Sequence, residues 1–307
     1  MAQTLKILVV GRSGQVAQAL ANAVWPRLSV EVQGRESIDL CQPSSVANVI
    51  AGGRWGAVVN AAAFTAVDRA EAEPDMAFAV NRDGPAALAA ACAEAGIPLI
   101  HLSTDYVFDG TKTEPYSEDD PVNPLSIYGA SKAEGEAAVR AQLDAHVIMR
   151  TSWVFSATGS NFVKTMLRLA AERTELSIVD DQRGCPSAAH DIASAIVRVT
   201  SALIEGKRDG FGTLHFAGAG PTTWHGFACE IFRQAALRGH TAPRRLKAIS
   251  TSAYPTPARR PANSTLDTAR ITQVYGIEPR PWAEGLSETL DTLLGPAEAH
   301  TALRTAS

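Results

Sequence analysis

Tyr128 and Lys132 stand four residues apart in PLSIYGASKAEGE, a segment that reads as a helix. Residues four apart share one helix face, so the phenol and the ammonium can reach the same point in space. A free phenol titrates at about 10. A neighbouring ammonium favours the phenolate, which would match Tyr128 to proton transfer near neutral pH, with Lys132 as its tuner. Upstream, Ser103 and Thr104 close the apolar run 97–102. Their hydroxyls are therefore expected at the carboxyl end of a buried strand, where open α/β sheets hold their ligands. The Tyr-x-x-x-Lys spacing alone is a weak sign, because Tyr and Lys are common and a helix shows many such pairs. Its weight comes from the elements around it.

Residues 5–10, apolar except for Lys6, are followed by GRSGQVAQALANAV, which predicts a strand, a tight turn and a helix. Gly11 and Gly14 let backbone approach a pyrophosphate, whose charge the helix N-terminus favours. Gly11, Arg12, Ser13, Gly14, Gln15 and Val16 are thus expected to contact a dinucleotide. The spacing is G-x-x-G-x-x-A, and Ala17 is small enough for the third position. A second strand, 28–33, ends in Gly34-Arg35-Glu36. There a nicotinamide site places an acid for the ribose of NAD or an Arg for the 2′-phosphate of NADP. Arg35 points to NADPH, and Glu36 beside it leaves NADH use open. Asp39 and Leu40 precede a helix from Pro43, and GAVVNAAAFTAVDRAE predicts a strand running into a small-residue loop, where a cofactor could lie across Ala61, Ala62 and Ala63. One long helix is expected from 73 to 95, stopped by Gly96 with Pro98 behind it. Asn123-Pro124 is expected to cap the Tyr128 helix. Gly129, Ala130 and Gly135 are expected to keep that helix thin for a flat nicotinamide ring and substrate. The alternation continues through 146–149 and defines an α/β fold, a doubly wound parallel sheet of Rossmann type.

Beyond Arg150, polar loops carrying Trp, Asn and Arg separate elements that return to the sheet, among them a strand at 212–217. This predicts a smaller, discontinuous substrate-binding lobe. Residues 1–155 and 191–220 would form the NAD(P)-binding domain, 156–190 and 221–294 the lobe, and 295–307 a frayed, disordered tail. In SAYPTPARRPANSTLD, Arg259 and Arg260 could pair phosphate oxygens as bidentate donors or lie in a solvated loop. The net charge of −4 and the absence of a Lys/Arg cluster interleaved with aromatics exclude a nucleic-acid footprint. Cys41, Cys92, Cys185 and Cys229 are far apart, with neither C-x-x-C nor zinc spacing, and are expected as small core residues in a reducing cytosol, with no metal. The apolar run at 7–10 is too short for a signal peptide, and no stretch of about 18 apolar residues occurs. The expected location is the cytoplasm, without a membrane partner.

A Gly-rich first turn, a hydroxyl pair after a later strand, and then Tyr-x-x-x-Lys is the order of nicotinamide-dependent short-chain dehydrogenases/reductases. Over roughly residues 5–294 the chain resembles the dTDP-4-dehydrorhamnose reductases of the extended branch of that superfamily. The likeness is carried by GRSGQVA, NAAAFTAVDRAE, HLSTDYVFDG, the NP-x-x-x-YG-x-SK-x-x-GE pattern of 123–136, RTSWVF, NFVKTMLRLA, VDDQRGCPSA, TTWHGFA and SAYPTPARRPANS. The resemblance implies NADPH- or NADH-dependent reduction of the 4-keto group of dTDP-4-dehydrorhamnose to dTDP-L-rhamnose, the last step in making that sugar. It places the catalytic residues on Thr104, Tyr128 and Lys132. It places cofactor contacts on the Gly11 to Val16 turn, Asp39-Leu40 and Ala63-Phe64-Thr65, and Arg35, Ser103, Tyr128 and Lys132 are expected to contact the cofactor as well. Sugar-nucleotide contacts fall on Thr104, Asp105 and Trp153, and on Asn161, Arg260 and Asn263 of the lobe motifs. Some relatives are magnesium-linked dimers, but this chain has His190 in the relevant loop and Ser187 where Thr is usual, so the metal is not carried over. The expected assembly is a monomer or homodimer. Two alternatives stand beside this reading. Related dehydratases follow the Ser-Thr with Asp-Glu, whereas Tyr106 follows Asp105 here, so elimination would lack its base. A regulatory subunit of methionine adenosyltransferase also resembles the family, and the presence of Tyr128 and Lys132 argues for catalysis instead.

Overall fold

The runs ILVV, AVV and VIM are apolar at every position, as suits strands covered on both faces. In the computed structural model, which describes residues 5–297, they lie inside a six-stranded, all-parallel sheet. Its strands are β1 (Leu5–Val10), β2 (Leu28–Gln33), β3 (Ala57–Asn60), β4 (Leu99–Thr104), β5 (His146–Thr151) and β6 (Gly212–His215). Their order is β6-β5-β4-β3-β1-β2. The chain leaves β1 for one edge and returns on its other side as β3, so the topological switch point lies between β1 and β3. Ligands of open α/β sheets bind outside the carboxyl ends of the strands at such a point.

Side chains alternate faces along a strand, and β1 shows it. Ile7 and Val9 pack under the helices Gln15–Asn22 and Ala189–Ile204, while Leu8 and Val10 pack under Pro43–Gly52 and Gly84–Ala95. A third apolar cluster, centred on Phe155, Phe227 and Leu286, lies in the lobe among the helices Phe162–Glu172, Trp224–Ala236 and Trp282–Leu294. The parallel strands Glu175–Val179 and Arg245–Ile249 complete that lobe. The two cores interleave more finely than the sequence suggested. Ile271 and Ile277, within the stretch expected to belong to the lobe, pack into the sheet-covering cluster, and Phe155 packs into the lobe.

Four local expectations need correction. The helix expected from 73 to 95 is Pro74–Phe78 and Gly84–Ala95 with a π turn, Ala79–Asp83, between them. Pro85 has no N–H to offer the Asn81 carbonyl, and the extra residue in the turn carries Asn81 inward. The Tyr128 helix, Ile127–Gln142, is capped by Ser126, whose Oγ accepts from Gly129 N at 3.2 Å. Asn123 instead donates to Asp109 Oδ2 at 3.0 Å. The small residues of that helix serve packing within the protein, since a Cβ at Gly129 would strike the Tyr106 carbonyl and one at Gly135 the Asn81 carbonyl. Among the cysteines, Cys92 and Cys185 are buried, Cys41 is partly covered and Cys229 is exposed. Residues 295–297 carry no regular structure, and the rest of the expected tail lies outside the described residues. Among the described residues, no helix is long and apolar enough to cross a membrane.

The helix is tied to the sheet by a buried ion pair. Arg150 of β5 donates Nε and Nη2 to the two carboxylate oxygens of Glu136 at 2.8 and 2.7 Å. Burial alone would raise the Glu136 carboxyl, but the Arg150 hydrogen bonds overcome it and hold the carboxyl below its ordinary value. Replacing Arg150 by Met leaves that carboxylate buried without its main partner. Arg150→Met is expected to cost about 3–5 kcal/mol in urea unfolding, and a loss below about 1 kcal/mol would mean that Arg140, which also reaches Glu136, is a sufficient partner.

Candidate active site

One cleft of about 1140 Å³ runs along the carboxyl ends of β1, β3 and β4 to the lobe. That exceeds the ~300–1,000 Å³ of an ordinary ligand pocket, which suits a dinucleotide together with a second ligand. Its walls contain Gly11 to Val16, Arg35, Asp39, Leu40, Ala61 to Thr65, Ser103, Thr104, Asp105, Tyr128, Lys132 and Trp153. The turn after β1 fits a pyrophosphate. Gly11 has φ +110° and its missing Cβ would lie 2.9 Å from Ala62 N, so only glycine lets the two loops meet there. A Cβ on Gly14 would find nothing nearer than Ala61 O at 3.5 Å. At the outer end Arg35 Nε donates to Asp39 Oδ2 at 3.4 Å, and Arg12 pairs with Glu36. Two cations that could take a 2′-phosphate, Arg35 and Arg12, thus each stand beside a carboxylate.

The reactive end is built by β4 and the Ile127–Gln142 helix. Thr104 pairs in register with Thr151 of β5, and its hydroxyl accepts from Tyr106 N at 3.2 Å and donates to Asp105 Oδ1 at 3.0 Å. Burial pushes the Tyr128 phenol up to about 12, with the Thr104 hydroxyl pulling the other way. Lys132 is almost wholly enclosed, and burial pushes its ammonium down to about 8. Its Nζ lies 2.7 Å from the Leu102 carbonyl, to which it donates, and 3.3 Å from His101 Nε2. Burial, and not the ammonium four residues on, sets the direction of the Tyr128 phenol here. The two side chains share a helix face, but the lysine is drawn to the β4 backbone and the phenol is left high.

Behind these residues stand polar groups that the sequence reading missed. Asn60 Oδ1 accepts from Ala62 N at 3.1 Å while its Nδ2 meets His101 Nδ1 at 3.0 Å, which fixes the Ala61 to Ala63 loop against the residue that contacts Lys132. Asn81 Oδ1 accepts from Phe64 N at 2.8 Å and its Nδ2 donates to Ser131 Oγ at 2.9 Å, clamping the cofactor loop to the helix of Tyr128. On the lobe side Trp153 and Trp224 stack with ring centroids 3.5 Å apart. Trp153 holds φ +47°, a left-handed conformation that a bulky residue keeps only where its surroundings enforce it. Trp224 lies in TTWHGFA, a segment singled out only for its resemblance, and opens the helix Trp224–Ala236.

Three residues expected on the sugar nucleotide are engaged elsewhere and do not line the cleft. Asn161 caps the helix Phe162–Glu172 by accepting from Lys164 N at 3.1 Å, and its Nδ2 donates to Ser156 O and to Gln15 Oε1. Arg260 meets Asp68 through both terminal nitrogens, at 3.1 and 2.8 Å, so its bidentate partner is a carboxylate of the chain and not a phosphate. Asn263 donates to Lys112 O at 2.8 Å and accepts from Thr265 N and Oγ1. Each faces a complementary group brought by the fold, which leaves its polar atoms committed. Among the described residues, no group of three or more His, Cys, Asp or Glu is placed to hold a metal ion.

A doubly wound sheet whose dinucleotide turn opens into the same cleft as a serine-threonine pair and a Tyr-x-x-x-Lys helix defines an oxidoreductase of the extended short-chain dehydrogenase/reductase type. The family described as RmlD substrate binding domain matches residues 5–294. The chain is 44% identical over 293 residues to a dTDP-4-dehydrorhamnose reductase of Sinorhizobium fredii, covering 94% of this chain and 98% of that one. It is 40% identical to that of Escherichia coli K12, over 94% and 98% of the two chains. The crystal structure of a dTDP-4-dehydrorhamnose reductase from Bacillus anthracis in complex with NADP superposes with a TM-score of 0.86 at 32% identity, over 94% of this chain and all of that one. The protein belongs to the dTDP-4-dehydrorhamnose reductase family.

Proposed function

We propose that the protein reduces the 4-keto group of dTDP-4-dehydrorhamnose to give dTDP-L-rhamnose, with NADPH as reductant. The observation that carries this reading is that Thr104, Tyr128 and Lys132 line one cleft with the dinucleotide turn. The Gly11 to Val16 turn, Arg35, Asp39-Leu40 and the Ala61 to Thr65 loop would hold NADPH, and the stacked Trp153 and Trp224 would face the sugar nucleotide. When bound, NADPH supplies a hydride to C4 of the keto sugar. Negative charge then gathers on the carbonyl oxygen. Thr104 donates a hydrogen bond to that oxygen and Tyr128 gives it a proton, so ketone, hydride and proton together make the alcohol. A phenol held near 12 is fully protonated at pH 7 and ready to donate. Lys132, on the cleft wall, would hold the nicotinamide ribose. The Rossmann domain carries the cofactor and the lobe the sugar, in a cytoplasmic monomer or homodimer.

The test is a substrate panel: NADPH oxidation with enzymatically prepared dTDP- and UDP-4-keto-6-deoxy sugars, and product configuration by NMR. Formation of dTDP-L-rhamnose is expected, and turnover confined to another base or another C4 epimer would replace this reading.

Two predictions concern the cofactor. Gly14 is the N-cap of the first helix, with φ −71° and ψ 147°, a conformation that valine adopts freely. With no protein atom crowding that position, Gly14→Val is expected to fold normally and to lose NADPH affinity by more than tenfold. Binding within a factor of about two by fluorescence titration would show that the pyrophosphate lies elsewhere. Arg35→Ala is expected to lower the preference for NADPH over NADH while leaving NADH kinetics nearly unchanged. An equal loss with both cofactors in steady-state assays would make Arg35 a partner of Asp39 only.

A further inference from the structure

Thr104 has one hydroxyl proton. Its oxygen already accepts from Tyr106 N, and its proton is directed at Asp105 Oδ1, 3.0 Å away. In that arrangement nothing remains to donate to a sugar oxygen. A hydroxyl can, however, accept twice and donate once. If Asp105 carried a proton, it could donate to the second lone pair of Thr104 Oγ1 and release the Thr104 proton for the cleft.

The surroundings of Asp105 favour that state. The side chain is 3% exposed, and among the described residues Oδ2 has no hydrogen-bond partner. The groups that face it are the Tyr106 phenol from its own segment, the Tyr128 phenol from the helix, the Cys185 thiol from the lobe loop and the Ser264 hydroxyl. Ser264 Oγ directs its one proton at Arg183 O, 3.3 Å away. Arg260, which acts on Tyr106, is bidentate to Asp68. Among the described residues, no cation is bonded to Asp105. A buried carboxylate without a cation and with one oxygen unpaired is costly, whereas the neutral acid is not.

We propose that Asp105 is a positioning residue that works in its protonated form, donating its own proton to Thr104 Oγ1 so that the Thr104 hydroxyl points at the substrate C4 oxygen. As a carboxylate, Asp105 recaptures the Thr104 proton and the contact to the developing oxyanion is lost. No proton leaves the pair during the reaction, since the one delivered to the sugar comes from Tyr128. Burial pushes the Asp105 carboxyl up to about 7, outweighing the Ser264 and Thr104 hydroxyls and the Asp105 and Tyr106 backbone N–H groups, which pull it down. The sign follows directly. The acid form is present below that value and is lost as pH rises through it, so the contribution of Thr104 falls on the alkaline side. The Tyr128 phenol at about 12 cannot produce a limb there, and the Lys132 ammonium at about 8 lies one step higher.

The inference rests on the ketoreductase reading, and Asp105→Asn tests it. An amide is nearly isosteric, does not titrate, and can donate from Nδ2 to Thr104 at every pH. Between about pH 6 and pH 8 the kcat/KM of wild type is expected to fall about twentyfold, about tenfold from a group titrating near 7 and about twofold from Lys132. That of Asp105→Asn is expected to change by no more than about twofold, the share left to Lys132, whatever its absolute level. A second measurement needs neither substrate nor cofactor. Infrared difference spectra of wild type against Asp105→Asn should contain a protonated-carboxyl C=O band that disappears as pH is raised through about 7. The proposal is overturned if Asp105→Asn retains the wild-type fall, or if that band is already gone at about pH 5. Failure of wild type to reduce the keto sugar would instead sink the reductase reading, and the infrared titration would still decide the state of Asp105.

Discussion

Tyr128→Phe is expected to lower kcat by about 10²–10⁴-fold, the usual contribution of a positioned general acid, with cofactor affinity intact. The ring is the part of this side chain that packs. It meets Tyr106 edge-on with centroids 6.1 Å apart and closes a small apolar cluster with Ala70 and Ala77. Phenylalanine keeps those contacts, so the substitution removes the proton and little else. Among the described residues the phenol makes no structural hydrogen bond whose loss would confuse the measurement, and its polar neighbour is Thr104, itself part of the site. Turnover above about a tenth of wild type at pH 7 would mean that the proton comes from another source. Water or Asp105 would be the next candidates, and Asp105→Asn would separate them.

Thr104→Val should lower kcat/KM by about 10²-fold at pH 7, the effect of removing one oxyanion donor. Valine is the matched replacement because it is β-branched and suits the end of a parallel strand. Thr104 is buried and registers with Thr151, so its methyl must stay in place. The change also takes the hydroxyl acceptor from Tyr106 N and the donor from Asp105 Oδ1. Binding of dTDP alone should therefore be measured beside turnover. A fall in kcat/KM with unchanged dTDP affinity places the loss at the keto oxygen. A loss within about fivefold would remove Thr104 from the chemistry and leave Tyr128 as the one donor there. Both variants act on the same oxygen, so the double mutant is expected to lose less than the product of the two factors.

What could be read from the sequence was local. A continuous apolar run announces a doubly covered strand, and glycines at 11 and 14 between such a run and a helix announce a turn that backbone can approach. The order of strand, turn, hydroxyl pair and Tyr-x-x-x-Lys then placed the dinucleotide end and the reactive end at the same edge of the sheet, because strands of a parallel sheet end on the same side. These signals survive because they depend on neighbours within a turn or two.

Partners depend on the whole chain. Asn81 reaches Phe64 across 17 residues and Ser131 across 50, and Asn60 reaches His101 across 41. In sequence each is a single polar residue among alanines and valines. The same separation explains where the reading went astray. Arg260 is a good bidentate donor, but its acceptor is Asp68, 192 residues away, and no local pattern says which carboxylate or phosphate the fold will bring to it. Asn161 and Asn263 were legible as polar residues in family motifs, yet their amides cap and brace the backbone that shapes the lobe. Lys132 is the clearest case. Its spacing from Tyr128 is a property of the helix, but the packing of that helix on β4 presents the ammonium to the Leu102 carbonyl and His101 and buries the phenol. Residue type and spacing determined which chemistry was within reach, and tertiary burial decided the protonation states in which Tyr128, Lys132 and Asp105 perform it, because the cost of a buried charge is set by the groups around it and not by the residues beside it in the chain.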